Sequence, residues 1–127
     1  MTKVLLAGLE PETVDFTDPA IPPGMDAAMI RMGIDMALQS CKARGWSVEL
    51  CLFPPDETTE AIIARSLAGA DFDVVVIGAG VRLPPRNLEL FERVVNAVHR
   101  GAPRTAIAFN TTPMDSDAAA ARWLGGA

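Results

Sequence analysis

Asp73–Gly78 (DVVVIG), running straight into Ala79-Gly80-Val81-Arg82, is the stretch that decides the fold. Four consecutive β-branched residues, Val74 to Ile77, leave no polar position for solvent, so this segment reads as a strand covered on both faces. That is the signature of a parallel strand inside an α/β sheet. Working outward, Lys3–Gly8 (KVLLAG), Ser47–Phe53 (SVELCLF) and Thr105–Asn110 (TAIAFN) are three further short apolar runs. Segments of helical period separate them. Met25–Arg44 stops at Gly45, a C′ glycine by position, and Thr58–Ala70 follows Pro54-Pro55-Asp56. Asn87–Arg100 has Asn87 as its expected N-cap and Gly101 with Pro103 beyond its end. Asp115–Leu124 opens on an acidic cap, with Gly125-Gly126-Ala127 expected as a fraying tail. Strict strand–helix alternation predicts βαβ crossovers and a single α/β domain over residues 1–127: a three-layer α/β/α sandwich on a four-stranded parallel sheet, order 2-1-3-4, Rossmann-like or flavodoxin-like.

Composition agrees and narrows the function classes. Of 127 residues, 50% are hydrophobic and 21% charged, which excludes intrinsic disorder. A formal charge of −5 argues against nucleic acid or an anionic membrane surface as partner, since both demand a basic face. Cys41 and Cys51 form neither a CxxC pair nor a disulfide framework, and no stretch has the length of a signal-peptide core or a membrane span. A cytoplasmic setting is the expectation.

In open parallel sheets, ligands bind beyond the carboxyl ends of the strands where the strand order reverses, here between the first and third strands. The rim there is Gly8-Leu9-Glu10, Gly78-Ala79-Gly80-Val81-Arg82 and, one strand over, Asn110-Thr111-Thr112. The first of these enters a connection of sixteen residues, Leu9–Gly24 (LEPETVDFTDPAIPPG), where two to six is usual. Such a loop is either functional or a flap that Phe16 and Ile21 tuck against the body.

Familiar uses of the fold fail on particular residues. A dinucleotide site needs GxGxxG after the first strand, but Gly8-Leu9-Glu10-Pro11 has one glycine and an acid where phosphate would sit. Gly78-Ala79-Gly80 is followed by Pro84-Pro85 rather than a third glycine, and a receiver-type aspartate is replaced by Gly78. The chain has no tyrosine to stack on a flavin, so no cofactor is expected. The one histidine, His99, falls at a helix end away from every serine, which rules out a Ser–His–acid relay. One histidine and two scattered cysteines cannot make a zinc site, and the loop acids Glu10, Glu12, Asp15 and Asp18 follow no cation-binding spacing. No metal is expected.

The segment VVVIGAGVR resembles the third-strand exit of the lactose-type sugar-phosphotransferase IIB components, small four-stranded parallel domains with a Gly-rich turn and a following arginine. The likeness reaches Gly78 and Arg82. That family phosphorylates a cysteine just after its first strand, where this chain has Gly8-Leu9-Glu10, so the resemblance implies a shared fold and does not bring the activity with it.

Two features remain. Arg82 and Arg86 flank the glycine exit, and together with Gly78, Ala79, Gly80, Asn110 and Thr111 they outline a site for a small anionic molecule. The alternative is that both arginines staple the acidic loop. In the first helix, Met25, Met29, Met32 and Met36 share one stripe, while Ile30, Ile34, Ala37, Leu38 and Cys41 share another almost opposite. One stripe covers the sheet. The other needs the long loop or a second subunit, and a two-fold homodimer through the methionines is the expectation. The sequence therefore predicts a small binding or interaction module of undetermined molecular function. The competing class is an enzyme with a minimal polar site, in which Glu10 is the base, Arg82 steadies an anion, and Asn110, Thr111 and Thr112 complete the rim.

Overall fold

The computed structural model describes residues 1–124; the expected fraying tail, Gly125-Gly126-Ala127, lies outside the described residues. Strands β1 (Lys3–Leu9), β2 (Ser47–Phe53), β3 (Val74–Ile77) and β4 (Ala106–Phe109) form one parallel sheet in the order β2-β1-β3-β4. Helices α1 (Ala27–Ala43), α2 (Thr59–Ala68), α4 (Leu88–Gly101) and α5 (Ser116–Ala121) flank it, and α3 (Ala79–Arg82) is a single turn directly after β3. This is the doubly wound α/β arrangement of the flavodoxin-like and Rossmann-like folds.

Alternation along each strand assigns the two layers. Leu5, Ala7, Cys51, Phe53, Val75 and Ile77 pack with Ile63 and Leu67 of α2 and with Leu90, Val94 and Val98 of α4. Val4, Leu6, Val74, Val76 and Ala108 pack on the other face with Ala37 and Cys41 of α1 and Ala119 and Ala120 of α5. β3 is buried over its whole length, as its unbroken β-branched run requires. Both cysteines are buried and free. Burial first, then the nearby Asp117 carboxylate, pushes the Cys41 thiol up to about 11, and burial raises Cys51, so both are packing groups rather than nucleophiles.

Helix boundaries moved inward for identifiable reasons. Asp26, not Met25, opens α1: its carboxylate accepts from the Met29 N–H at 2.9 Å. The helix ends on Arg44, and Gly45 takes the left-handed conformation (φ 86°) that reverses the chain without a Cβ clash. Asn87 stands at the start of α4 as expected, but its side chain does not cap the helix. It donates instead to the Gly80 carbonyl at 3.0 Å, tying α4 to the β3 exit. Asp115 likewise serves the 3-10 turn Pro113–Asp115, closing a reciprocal capping box with Thr112. No helix among the described residues is long and apolar enough to cross a membrane.

The α2/α4 layer carries one bidentate ion pair. Arg93 donates from Nε to Glu60 at 2.9 Å and from Nη2 at 2.5 Å, with a further bond of 2.7 Å to the Asp56 carbonyl. The Arg93 hydrogen bonds hold the Glu60 carboxyl at about 2, against a usual value of 4.5. A depressed folded-state value gives stability that is complete above the unfolded pKa and is lost as pH falls toward the folded one. For a pair this open to solvent the contribution is about 1 kcal/mol. Glu60→Gln should therefore unfold about 1 kcal/mol more easily in urea at pH 7, and the gap to wild type should close between pH 4.5 and 2. A gap that stays constant over that range would show that the pair contributes nothing through its charge.

Candidate functional site

The site begins with two missing side chains. On the α1 face of the sheet, Gly8 follows Leu6 along β1 and Gly78 follows Val76 out of β3. Ala7 pairs with Ile77, and the Gly78 N–H donates to the Ala7 carbonyl at 2.8 Å, so the two glycines stand side by side. Leu52 lies opposite Gly8 on β2, and Asn110 follows β4 on the far side of Gly78. The last rung of the sheet on this face thus reads Leu52, Gly8, Gly78, Asn110. A Cβ added at Gly8 would meet nothing within 4 Å.

A cavity of about 310 Å³ occupies the space so left open. Its floor is Leu6, Leu50 and Val76, and its roof is Ile30, Ile34 and Ala37 of α1. Val14, Ala20, Ile21 and Pro22 of the long connection close it from above the strand ends, with Met25 at the junction to α1. Leu83 and Pro84 bound it beyond α3, and Asn110, Thr111, Thr112 and Ser116 supply its polar end. No ionisable side chain occurs among the described residues that line it.

The long connection is a structured lid. A 3-10 turn over Pro11–Thr13 starts it, and Asp15 and Asp18 cap local turns by accepting from the N–H groups of Thr17 and Ala20, each at 2.9 Å. Two guanidinium groups pin it to the body. Arg31 of α1 pairs with Glu12, its Nε donating at 2.8 Å, and Arg86 bridges Asp15 at 2.9 Å and Asp18 at 3.1 Å. Hydrogen bonds from Arg31 lower the Glu12 carboxyl, and those from Thr17 and then Arg86 lower Asp15.

The polar end is built as a knot. Asn110, buried, accepts from the Ala79 N–H at 2.8 Å and donates to Ser116 Oγ at 2.9 Å, and Ser116 in turn donates to the Pro113 carbonyl at 2.8 Å. The Thr111 hydroxyl and the N–H groups of Thr111 and Thr112 all go to Asp115. Partial burial works against the Asp115 carboxylate, but these bonds outweigh it and hold the group below its usual range. Asn110 therefore locks the exits of β3 and β4 and the start of α5 to one another. Its hydrogen bonds are spent on the fold.

Among the residues anticipated from the sequence, Gly78, Ala79, Gly80, Asn110 and Thr111 come together on the cavity wall. The arginines do not join them. Arg86 is a staple for the acidic lid, and Arg82 donates from Nη2 to the Asn110 carbonyl at 2.8 Å with its guanidinium 5.9 Å from the Phe109 ring centre. Neither lines the cavity, so no pair of guanidinium groups is aimed into the crevice. Glu10 is also outside it. Its N–H extends the sheet by donating to Phe53 at 2.9 Å, and its carboxylate lies within the field of Arg31, so Glu10 and Arg82 belong to separate networks. His99 is exposed at the end of α4, and no group of three or more candidate metal ligands occurs among the described residues.

The methionine stripe divides. Met25 turns into the cavity wall, whereas Met29, Met32 and Met36 remain 50%, 64% and 43% exposed. Ile30 and Ile34 face the cavity, half-buried, while the three methionines stay open. Leu50, Leu52, Ile30 and Ile34 were not singled out as site residues in the sequence. The signal that finds them is the neighbouring placement of Gly8 and Gly78 on one face, from which the surrounding side chains follow by register. No protein-family model matches this chain, and no curated protein is similar to it.

Proposed function

We propose that the protein is a binding module that takes a small molecule in the crevice between β1 and β3. The observation that carries this reading is the cavity itself: about 310 Å³, at the reversal point of a parallel sheet, walled by apolar side chains and bounded at the strand ends by a pinned lid. Close packing is the rule in protein interiors, so an opening of this size kept by two glycines is not accounted for by packing alone. Binding is favoured over catalysis because the described lining holds no ionisable group to move a proton, and Glu10 and Arg82 lie outside it. The unpaired thiols of Cys41 and Cys51 support a reducing setting such as the cytosol. A library of small fragments of mixed charge, screened by amide chemical shifts, should give hits that move Gly8, Gly78, Gly80 and Thr111 together. Hits scattered over the surface, or none at millimolar concentration, would remove the crevice as the site.

A second reading concerns α1, and the exposure of Met29, Met32 and Met36 favours it. A second copy of this chain, packed antiparallel on the same helix, would bury the methionine stripes of both copies at once in a closed two-fold dimer. Methionine, unbranched and adaptable, suits such a contact. Sedimentation at roughly 50 μM, where an interface of ordinary size holds, should return a dimer that the double substitution Met29→Glu/Met32→Glu dissociates without loss of helical signal. A wild-type species of 13.5 kDa would refute it.

A further inference from the structure

Resting on the crevice as the ligand site, we infer that its ligand is an uncharged, mainly hydrocarbon molecule, held by burial and shape rather than by ion pairs. Charge is excluded from both directions. An anion would need a cationic partner in the wall: Arg31 is matched to Glu12 and Arg86 to Asp15 and Asp18, and Arg82, which has no carboxylate partner among the described residues, donates to the Asn110 carbonyl and does not line the cavity. A cation would need a carboxylate, and the described lining has none. An ion left without a partner in such a site loses its hydration and gains nothing in return.

The polar end does not alter this. Asn110 accepts from the Ala79 N–H and Thr112 Oγ from the Met114 N–H, while the Ser116 and Thr111 hydroxyls donate to the Pro113 carbonyl and the Asp115 carboxylate. They offer a ligand a weakly polar edge suited to one hydroxyl or ether. They do not form a cradle of free donors. Size sets the other limit. The cavity is about twice the roughly 150 Å³ void that accepts a single benzene ring, which points to a fused bicycle or a branched chain of roughly ten to twelve carbons. Val14, Ile21 and Pro22 present the lid's apolar side to that space, while its acids are held by Arg31 and Arg86. The lid thus turns hydrocarbon toward the cavity and ties its acids to the two guanidinium groups, Asp18 nearly buried against Arg86.

Two dyes that share a naphthylamine skeleton separate the possibilities: neutral 1-naphthylamine and its anionic 8-sulfonate. The full chain should bind the neutral dye saturably at one site, and the sulfonate at least tenfold more weakly. Gly8→Val and Gly80→Val place new atoms in open space, since a Cβ at either position meets nothing within 4 Å. Each, provided its circular dichroism matches wild type, should weaken the neutral dye at least tenfold, and either variant suffices if the other fails to fold. Sulfonate binding as tight as the neutral dye and lost in the same variants would overturn the neutral-ligand inference while supporting the crevice as a site. Dye binding that neither folded variant changes would overturn the crevice as the dye site and the inference with it. Absence of saturable binding by the neutral dye would overturn the inference alone, the site being judged separately by the fragment screen.

Discussion

Everything distinctive about this molecule depends on two glycines standing side by side where β1 and β3 end. A parallel sheet covered by helices on both faces ordinarily fills every inward position with a branched side chain. Here the α1 face is filled as far as Leu6 and Val76, then loses its side chains at Gly8 and Gly78 while α1 continues overhead with Ile30 and Ile34. The backbone runs on in register, as the 2.8 Å bond from the Gly78 N–H to the Ala7 carbonyl shows. The missing side chains open that end of the seam, and the cavity runs on from there between α1 and the long connection.

The rest of the polar architecture keeps that opening in shape without charging it. Arg31 and Arg86 tie the acids of the lid to the body, leaving Val14, Ile21 and Pro22 beside the opening. Asn110 binds the exits of β3 and β4 to α5 through Ala79 and Ser116. Arg82 reaches across to the Asn110 carbonyl and lies against Phe109, so it strengthens the same corner. Removing a partner from a buried network of this kind leaves donors and acceptors unsatisfied, which costs more than the bonds contribute when intact.

The sheet and its order were legible because the signals are local and redundant. Val74–Ile77 permits no reading but a doubly covered strand, and helical periods separate every pair of strands. The placement of the crevice followed from topology. Its chemistry did not, since arginines near a glycine turn read as an anion site until their partners are known. The acids that claim Arg86 lie some seventy residues away in the chain, and no local pattern announces such a pairing. The one-turn helix α3 was hidden for a similar reason: Ala79–Arg82 is too short to show a period, and its first N–H is satisfied by Asn110 from another strand. The stripe on α1 was visible as a pattern, but which side would stay open depended on the cavity beneath Ile30 and Ile34.

Xenon tests most directly whether the crevice beside Gly8 and Gly78 is a preformed apolar void. Xenon partitions into dry apolar cavities and is displaced from polar ones, where ordered water holds the space. A crystal of the protein equilibrated under xenon pressure should show a strong peak between Gly8, Val76 and Ile34, on the α1 side of the sheet. A crevice filled instead by hydrogen-bonded water, or closed by the lid and α1 with no xenon bound, would contradict the account.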